Sequence, residues 1–232
     1  MATDIQALAQ QIRNLETGFG AADRRLFLRL PFLEPLLPEP EIRPGALIEL
    51  VGEEGAGLWT IGLLIGREGC GRRALIVLDS QESFYPPGLV RWGIDLNLTF
   101  VIRPRSPRWM YSTMNRVLRC PAVGAVLGWC ETIKPADYQR LRLAAEEGQS
   151  LGVVLRPSGA LVERCFANFR FQLTPLPSRE RSRRIQIELL RGPGGLRGRS
   201  FVLEVDDEKG DVRLPARLAA AETVARPATL AQ

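Results

Sequence analysis

Histidine is missing from this chain altogether. With it go serine–histidine and cysteine–histidine nucleophile pairs, histidine metal sites and the commonest general base. Any catalysis must rest on carboxylates, arginines and hydroxyls. Cysteine is nearly as scarce. Cys70, Cys120, Cys130 and Cys165 stand far apart and form no Cys-x-x-Cys pair. This argues against a zinc site or a disulfide framework and for buried neutral thiols. No metal and no cofactor are expected. No apolar run reaches the length of about 18 residues that a membrane helix needs. Asp4 interrupts the N-terminal stretch, which lacks the apolar core of a secretory signal, so the expected location is the cytoplasm, with nucleoid association allowed.

Lysine is also rare. Lys134 and Lys209 are the two lysines among 31 basic residues, and the remainder are arginines. Arginine is the better fork for phosphate and carboxylate, although a G+C-rich genome gives the same bias. The net charge of +5 is modest, so its distribution matters more than its total. Residues 179–199 hold Arg179, Arg181, Arg183, Arg184, Arg191, Arg197 and Arg199 against Glu180 and Glu188. Residues 103–119 carry Arg103, Arg105, Arg108, Arg116 and Arg119 with no acid. Both stretches are candidates for a face toward DNA or another anionic partner. For the second, an ordinary helix that buries Met110, Met114 and Val117 remains open, with Trp109 and Tyr111 as sparse stacking aromatics. For the first, a glycine-rich arginine hairpin has little packing purpose, which favours an interaction surface.

A length of 232 residues with 45% apolar content suits one domain with short appendages. Residues 1–20 place Ile5, Leu8, Ile12 and Leu15 on one face of an amphipathic helix. Leu8, Ile12 and Leu15 are the candidate partner contacts, the alternative being a helix folded back on its own domain. A proline-rich connector spans 21–44 and reads as an extended linker with short turns. The core is expected over 45–210. Apolar runs of strand length at 46–51, 74–79, 98–103, 123–128 and 151–156 are separated by helix-length segments, the pattern of a largely parallel sheet covered on both faces. Runs at 166–173, 184–190 and 200–205 are joined by loops without helices, which predicts antiparallel strands at the C-terminal end. Residues 211–232 read as a flexible tail.

Within the first strand region, residues 46–60 carry the spacing of a phosphate loop. A hydrophobic strand runs into Gly52, Gly55 lies inside the loop, and Gly57 opens a helix. In a working loop the next two residues are Lys, for the β/γ-phosphates, and Ser or Thr, for magnesium. Leu58 and Trp59 stand there instead, and Glu53 and Glu54 add negative charge. A nucleotide-hydrolysing site also needs carboxylates at the ends of neighbouring strands. Gln81 and Gly128 occupy those stations. Trp59 and Trp129 are expected to fill the volume that a nucleotide would take.

These segments resemble the RecA/ImuA family, and its ImuA branch most closely. The likeness runs through residues 45–50, 101–106, 124–129, 140–148, 151–157 and 184–191. Its most specific parts are the run into Gly128 and Trp129 and the Leu-Ala-Ala-Glu-Glu-Gly segment at 143–148. The resemblance implies an α/β, RecA-like phosphate-loop core and a role in damage-induced, error-prone translesion DNA synthesis. It also implies an ImuB-like relative of the Y-family polymerases as partner. RecA, an error-prone replicative-type polymerase and DNA are further candidates, and no membrane is involved. The altered loop gives the expectation of a non-catalytic accessory factor. Two alternatives stay open: an unconventional RecA-like ATPase stimulated by DNA, and a RecA regulator without DNA binding. After Leu155 comes Arg156-Pro157-Ser158-Gly159, a shorter connection than the mobile DNA-binding insertion of RecA.

Overall fold

The computed structural model describes residues 28–37, 41–82, 84–178 and 182–214. A short antiparallel pair, β1 (Leu28–Arg29) and β2 (Glu41–Ile42), precedes β3 (Leu47–Gly52), helix α1 (Leu58–Cys70) and β4 (Ala74–Leu78). Then come β5 (Thr99–Ile102), α2 (Pro107–Leu118), β6 (Val123–Trp129), α3 (Pro135–Gly148) and β7 (Leu151–Pro157). The chain continues with β8 (Phe169–Leu176), β9 (Arg183–Arg191), β10 (Arg199–Asp206) and β11 (Asp211–Arg213). Strands β3 to β11 form one sheet in the order β11-β10-β9-β8-β3-β7-β6-β4-β5. The six strands from β8 to β5 are parallel, and β9, β10 and β11 add antiparallel to the β8 edge. A mostly parallel sheet flanked by helices and finished by antiparallel strands is thus the architecture, as the apolar runs require. Among the described residues, no helix is long and apolar enough to cross a membrane.

Each face of the sheet has its own core. Side chains alternate along a strand, so Ile48 and Leu50 of β3 face α1, while Leu47 faces α2 and α3. Helix α1 is apolar around most of its circumference and buries Leu58, Ile61 and Leu63 to Ile65. It lies close to the sheet because Gly62 presents no Cβ; one built there would come within 2.8 Å of Leu127 and 3.0 Å of Leu155. On the other face, α2 starts at Pro107, with the Ser106 hydroxyl accepting from the Trp109 amide at 3.3 Å. It buries Met110, Met114 and Leu118, one stripe at four-residue spacing, and leaves Val117 half-buried.

Two parts of the expected organisation differ in the structure, and a third lies outside the described residues. The described part of the connector is not a free linker, because Leu30, Leu33, Leu36, Leu37 and Ile42 belong to the α1-side core. Pro31 opens the short helical turn Pro31–Leu33, and the burial of the leucines anchors the segment. Second, residues 211–213 belong to the sheet and not to a tail, since β11 pairs with β10 through Val212 and Val205. Third, the N-terminal helix with Leu8, Ile12 and Leu15 lies outside the described residues, as do Arg179, Arg181 and the segment 215–232.

Candidate functional site

Strand β3 delivers the chain to the phosphate-loop position at its C-terminal end, beside β7 and β8. Gly55 and Gly57 take φ of +81° and +84°, the left-handed region that favours glycine. Gly57 also packs so closely that a Cβ there would lie 2.5 Å from Ile185 Cδ1 of β9. The backbone therefore makes a strand–loop–helix turn with its amides at the start of α1. The side chains do something else. Ala56 and Leu58 are buried in the α1-side core, 1% and 4% exposed. Glu53 and Glu54 are exposed on the outside of the loop. Trp59 is half-buried with its ring centroid 5.9 Å from that of Phe84, and it borders a small cleft with Tyr85, Leu89 and Trp92. Trp129 packs against the α1-side core, and its buried indole N–H has no hydrogen-bond partner among the described residues. Trp59 and Trp129 both pack against the α1-side core, and Trp59 borders the 84–92 segment.

The two positions expected to have lost an acid differ in what surrounds them. Gln81 is exposed in the turn after β4, next to Glu82, which adopts φ of +54°. The neighbouring Asp79 is buried; its Oδ2 accepts from the Phe84 amide at 3.3 Å and lies 3.6 Å from Arg103 Nε. Its role here is to hold the turn. Gly128 faces away from the loop. A Cβ there would lie 2.5 Å from the Met110 methyl and 3.2 Å from Leu78 Cβ, both in the core beneath α2 and α3. The residue of β6 that shares the α1 side with Leu127 is Trp129. The expectation for Gly128 is corrected to this extent: it lies on the α2 and α3 side of the sheet, and the α1-side residue of β6 after Leu127 is Trp129. Strand alternation carries that correction, and the sequence does not display where the alternation ends.

The loop also has a close basic neighbour that sequence reading treated as a free surface residue. Arg183 of β9 donates from Nη2 to the Thr60 hydroxyl at 3.1 Å. It makes a two-pronged contact with Asp207, Nε–Oδ2 2.5 Å and Nη2–Oδ1 2.6 Å. Its charge is already matched. Of the other described arginines in 179–199, Arg184 lies 3.8 Å from Glu204, and Arg191 donates to the Cys165 carbonyl. Arg191, Arg197 and Arg199 are exposed with no ion-pair partner among the described residues. The expected seven-arginine face is thus largely spent on internal contacts within its described part.

Sequence reading missed a buried charge cluster on the opposite face of β3. Glu49, fully buried, lies 3.3 Å from Arg156 Nη1 and 2.8 Å from Arg170 Nε. The second contact is an ion pair without hydrogen-bond alignment. Arg156 also binds Glu163 at 2.7 Å and the Glu131 carbonyl at 2.9 Å; Arg170 donates to the carbonyls of Ala160 and Glu163. These contacts tie the connections after β6 and β7 to the sheet. The signal was present as Glu49 in an otherwise apolar strand.

Around the cluster lie Cys130, Cys165 and Tyr138. Burial, then the Glu49 charge, pushes the Tyr138 hydroxyl far above its ordinary range. Burial pushes both thiols up from 9.0 to about 12. A neutral thiol is thus favoured by the fold. Its contribution is complete below about pH 9 and is lost as pH rises toward 12. Denaturant midpoints are expected to fall steeply above pH 9, and less steeply in Cys130→Ala; identical slopes in the two proteins would remove this account.

No family model matches the chain. It is similar to the cell division inhibitor SulA of Photorhabdus laumondii, 27% identical over 115 residues, covering 50% of this chain and 65% of that protein. It is also similar to SulA of Yersinia pestis, 32% identical over 85 residues, covering 37% of this chain and 51% of that one. The chain thus matches between half and just under two thirds of the length of these curated relatives. Among solved structures, the RadB recombinase superposes with a TM-score of 0.61 over 78% of this chain and 96% of that one, at 15% identity. The fold is RecA-like.

Proposed function

We propose that this chain is a non-catalytic, RecA-like accessory factor in damage-induced, error-prone translesion DNA synthesis. In this reading it acts through contacts with an ImuB-like protein, with RecA, or with both. The observation that carries the non-catalytic part is the fate of Leu58. At the position of the phosphate-binding lysine, the side chain is 4% exposed and belongs to the hydrophobic core. An apolar group in that place gives no charge to a triphosphate, and Glu53 and Glu54 repel one. The resemblance to the ImuA branch supports the pathway. The similarity to proteins named as cell division inhibitors supports action on another protein in place of turnover.

Arg183 favours a second reading, an unconventional ATPase that draws its cation from β9 and not from the loop. Its two contacts with Asp207 weigh against this, because release of the guanidinium would leave that carboxylate without its present partner. One experiment separates the two. With millimolar ATP and magnesium, the melting temperature is expected to stay where it is, and no phosphate is expected to be released with single-stranded DNA present. An ATP-dependent rise of several degrees, or steady turnover, supports the ATPase reading instead. Co-purification with ImuB-like and RecA proteins tests the partner assignment; failure to retain either would remove it.

A further inference from the structure

Besides the β9–β10 hairpin, a second basic face is a cleft between α2 and α3. It encloses about 860 Å³ and is bordered from α2 by Arg108, Arg116 and Arg119, and from the α3 side by Lys134, Asp137 and Arg140. Arg119 pairs with Glu147 at 2.8 Å, and Arg140 with Asp137 at 3.4 Å. Arg108, Arg116 and Lys134 are exposed and have no ion-pair partner among the described residues. The cleft is structurally braced: the Asn115 side chain donates to the Arg140 carbonyl at 3.0 Å, and the Tyr111 hydroxyl donates to the Thr132 carbonyl. Positions 108, 116 and 119 fall on one side of α2, so their charges form a row about 16 Å long at the roughly 1.5 Å rise per residue of a helix. Beside the row, Trp109 is 65% exposed.

We propose that this cleft binds the phosphate backbone of a single-stranded nucleic acid, with Trp109 as a stacking platform for a base. Guanidinium groups in a linear row suit successive phosphates, which they grip in pairs of hydrogen bonds. An exposed indole beside such a row has a flat π-face that any base can meet. An acidic protein segment would use the charges and leave the indole without a purpose. The inference does not depend on the accessory-factor reading, since a strand-binding cleft serves a hydrolysing or a non-hydrolysing protein equally.

Fluorescence anisotropy of a labelled oligothymidylate with the full chain tests it. The parent is expected to bind with an affinity that falls as salt rises. Arg108→Gln/Arg116→Gln is expected to bind about tenfold or more weakly, and to flatten the plot of log affinity against log salt by about 1.4, at about 0.7 per phosphate contact on a single strand. Trp109→Ala is expected to weaken binding about fivefold or more with the salt slope unchanged. Arg197→Gln/Arg199→Gln is expected to bind like the parent. All these side chains are exposed, so unaltered melting temperatures accompany the expected result. The proposal is overturned if the α2 double variant binds like the parent or the hairpin variant loses binding. It is equally overturned if a duplex of the same length binds as tightly as the single strand, or if polyglutamate competes as well as unlabelled oligonucleotide at equal charge.

Discussion

Glu49→Gln is expected to produce the largest loss of stability of any single conservative change in this chain. The substitution keeps the shape of the side chain and removes its charge. Arg156 and Arg170, 1% and 8% exposed at their side chains, are then left facing each other across a neutral amide. Removing one partner of a buried pair costs about 3–5 kcal/mol. At this chain length each kcal/mol moves the midpoint by about 2–4 °C, so melting falls by roughly 10 °C. Arg156 retains Glu163, which limits the loss; among the described residues Arg170 retains only carbonyl oxygens besides Glu49. The all-apolar replacement Glu49→Leu/Arg156→Met/Arg170→Met is expected to recover much of the deficit, because no charge then needs a partner in the interior. Thermal and denaturant unfolding of both variants measure this. A single variant as stable as the parent would mean that water reaches the cluster and screens it.

Restoring the phosphate-loop signature with Leu58→Lys/Trp59→Thr is expected to damage the fold without creating an ATPase. Leu58 is almost completely enclosed by the α1-side core, so a lysine there loses apolar burial and desolvates an ammonium. The cost is about 2–4 kcal/mol, with a further loss from the Trp59 contact to Phe84. Catalysis still lacks its acids: Gln81 stands in the exposed turn and Trp129 on the α1 side of β6. Calorimetry of the double variant with and without ATP and magnesium, alongside a phosphate-release assay, reads both halves. A variant that melts several degrees higher with ATP would show that the surrounding loop still accommodates a triphosphate and that two side chains alone had closed it.

These two changes lie on opposite faces of β3 and differ in how visible they were. The loop could be read from the sequence because its spacing is local: one strand, two positive-φ glycines and a helix within 46–70. The same holds for the strand runs, whose unbroken apolar character follows from burial on both faces of a parallel sheet. Glu49 stood out in its apolar strand, but its partner could not be read, since Arg156 and Glu49 are 107 residues apart and meet through the pairing of β3 with β7.

The amino-acid order by itself therefore determined the succession of elements, the parallel core with its antiparallel edge, and the presence of Leu58 and Trp59 directly after the glycine loop. Each depends on residues a few positions apart, where backbone geometry fixes the outcome. Tertiary structure alone decided which arginines are free. Arg183 and Arg116 carry the same charge, but one meets Asp207 across neighbouring strands and the other meets solvent beside a cleft. It also decided that Trp129, and not Gly128, lies on the α1 side of the sheet. The physical reason is common to both: the fate of a charge or a side-chain direction is set by strand register and by the packing of helices over the sheet, which join segments far apart along the chain.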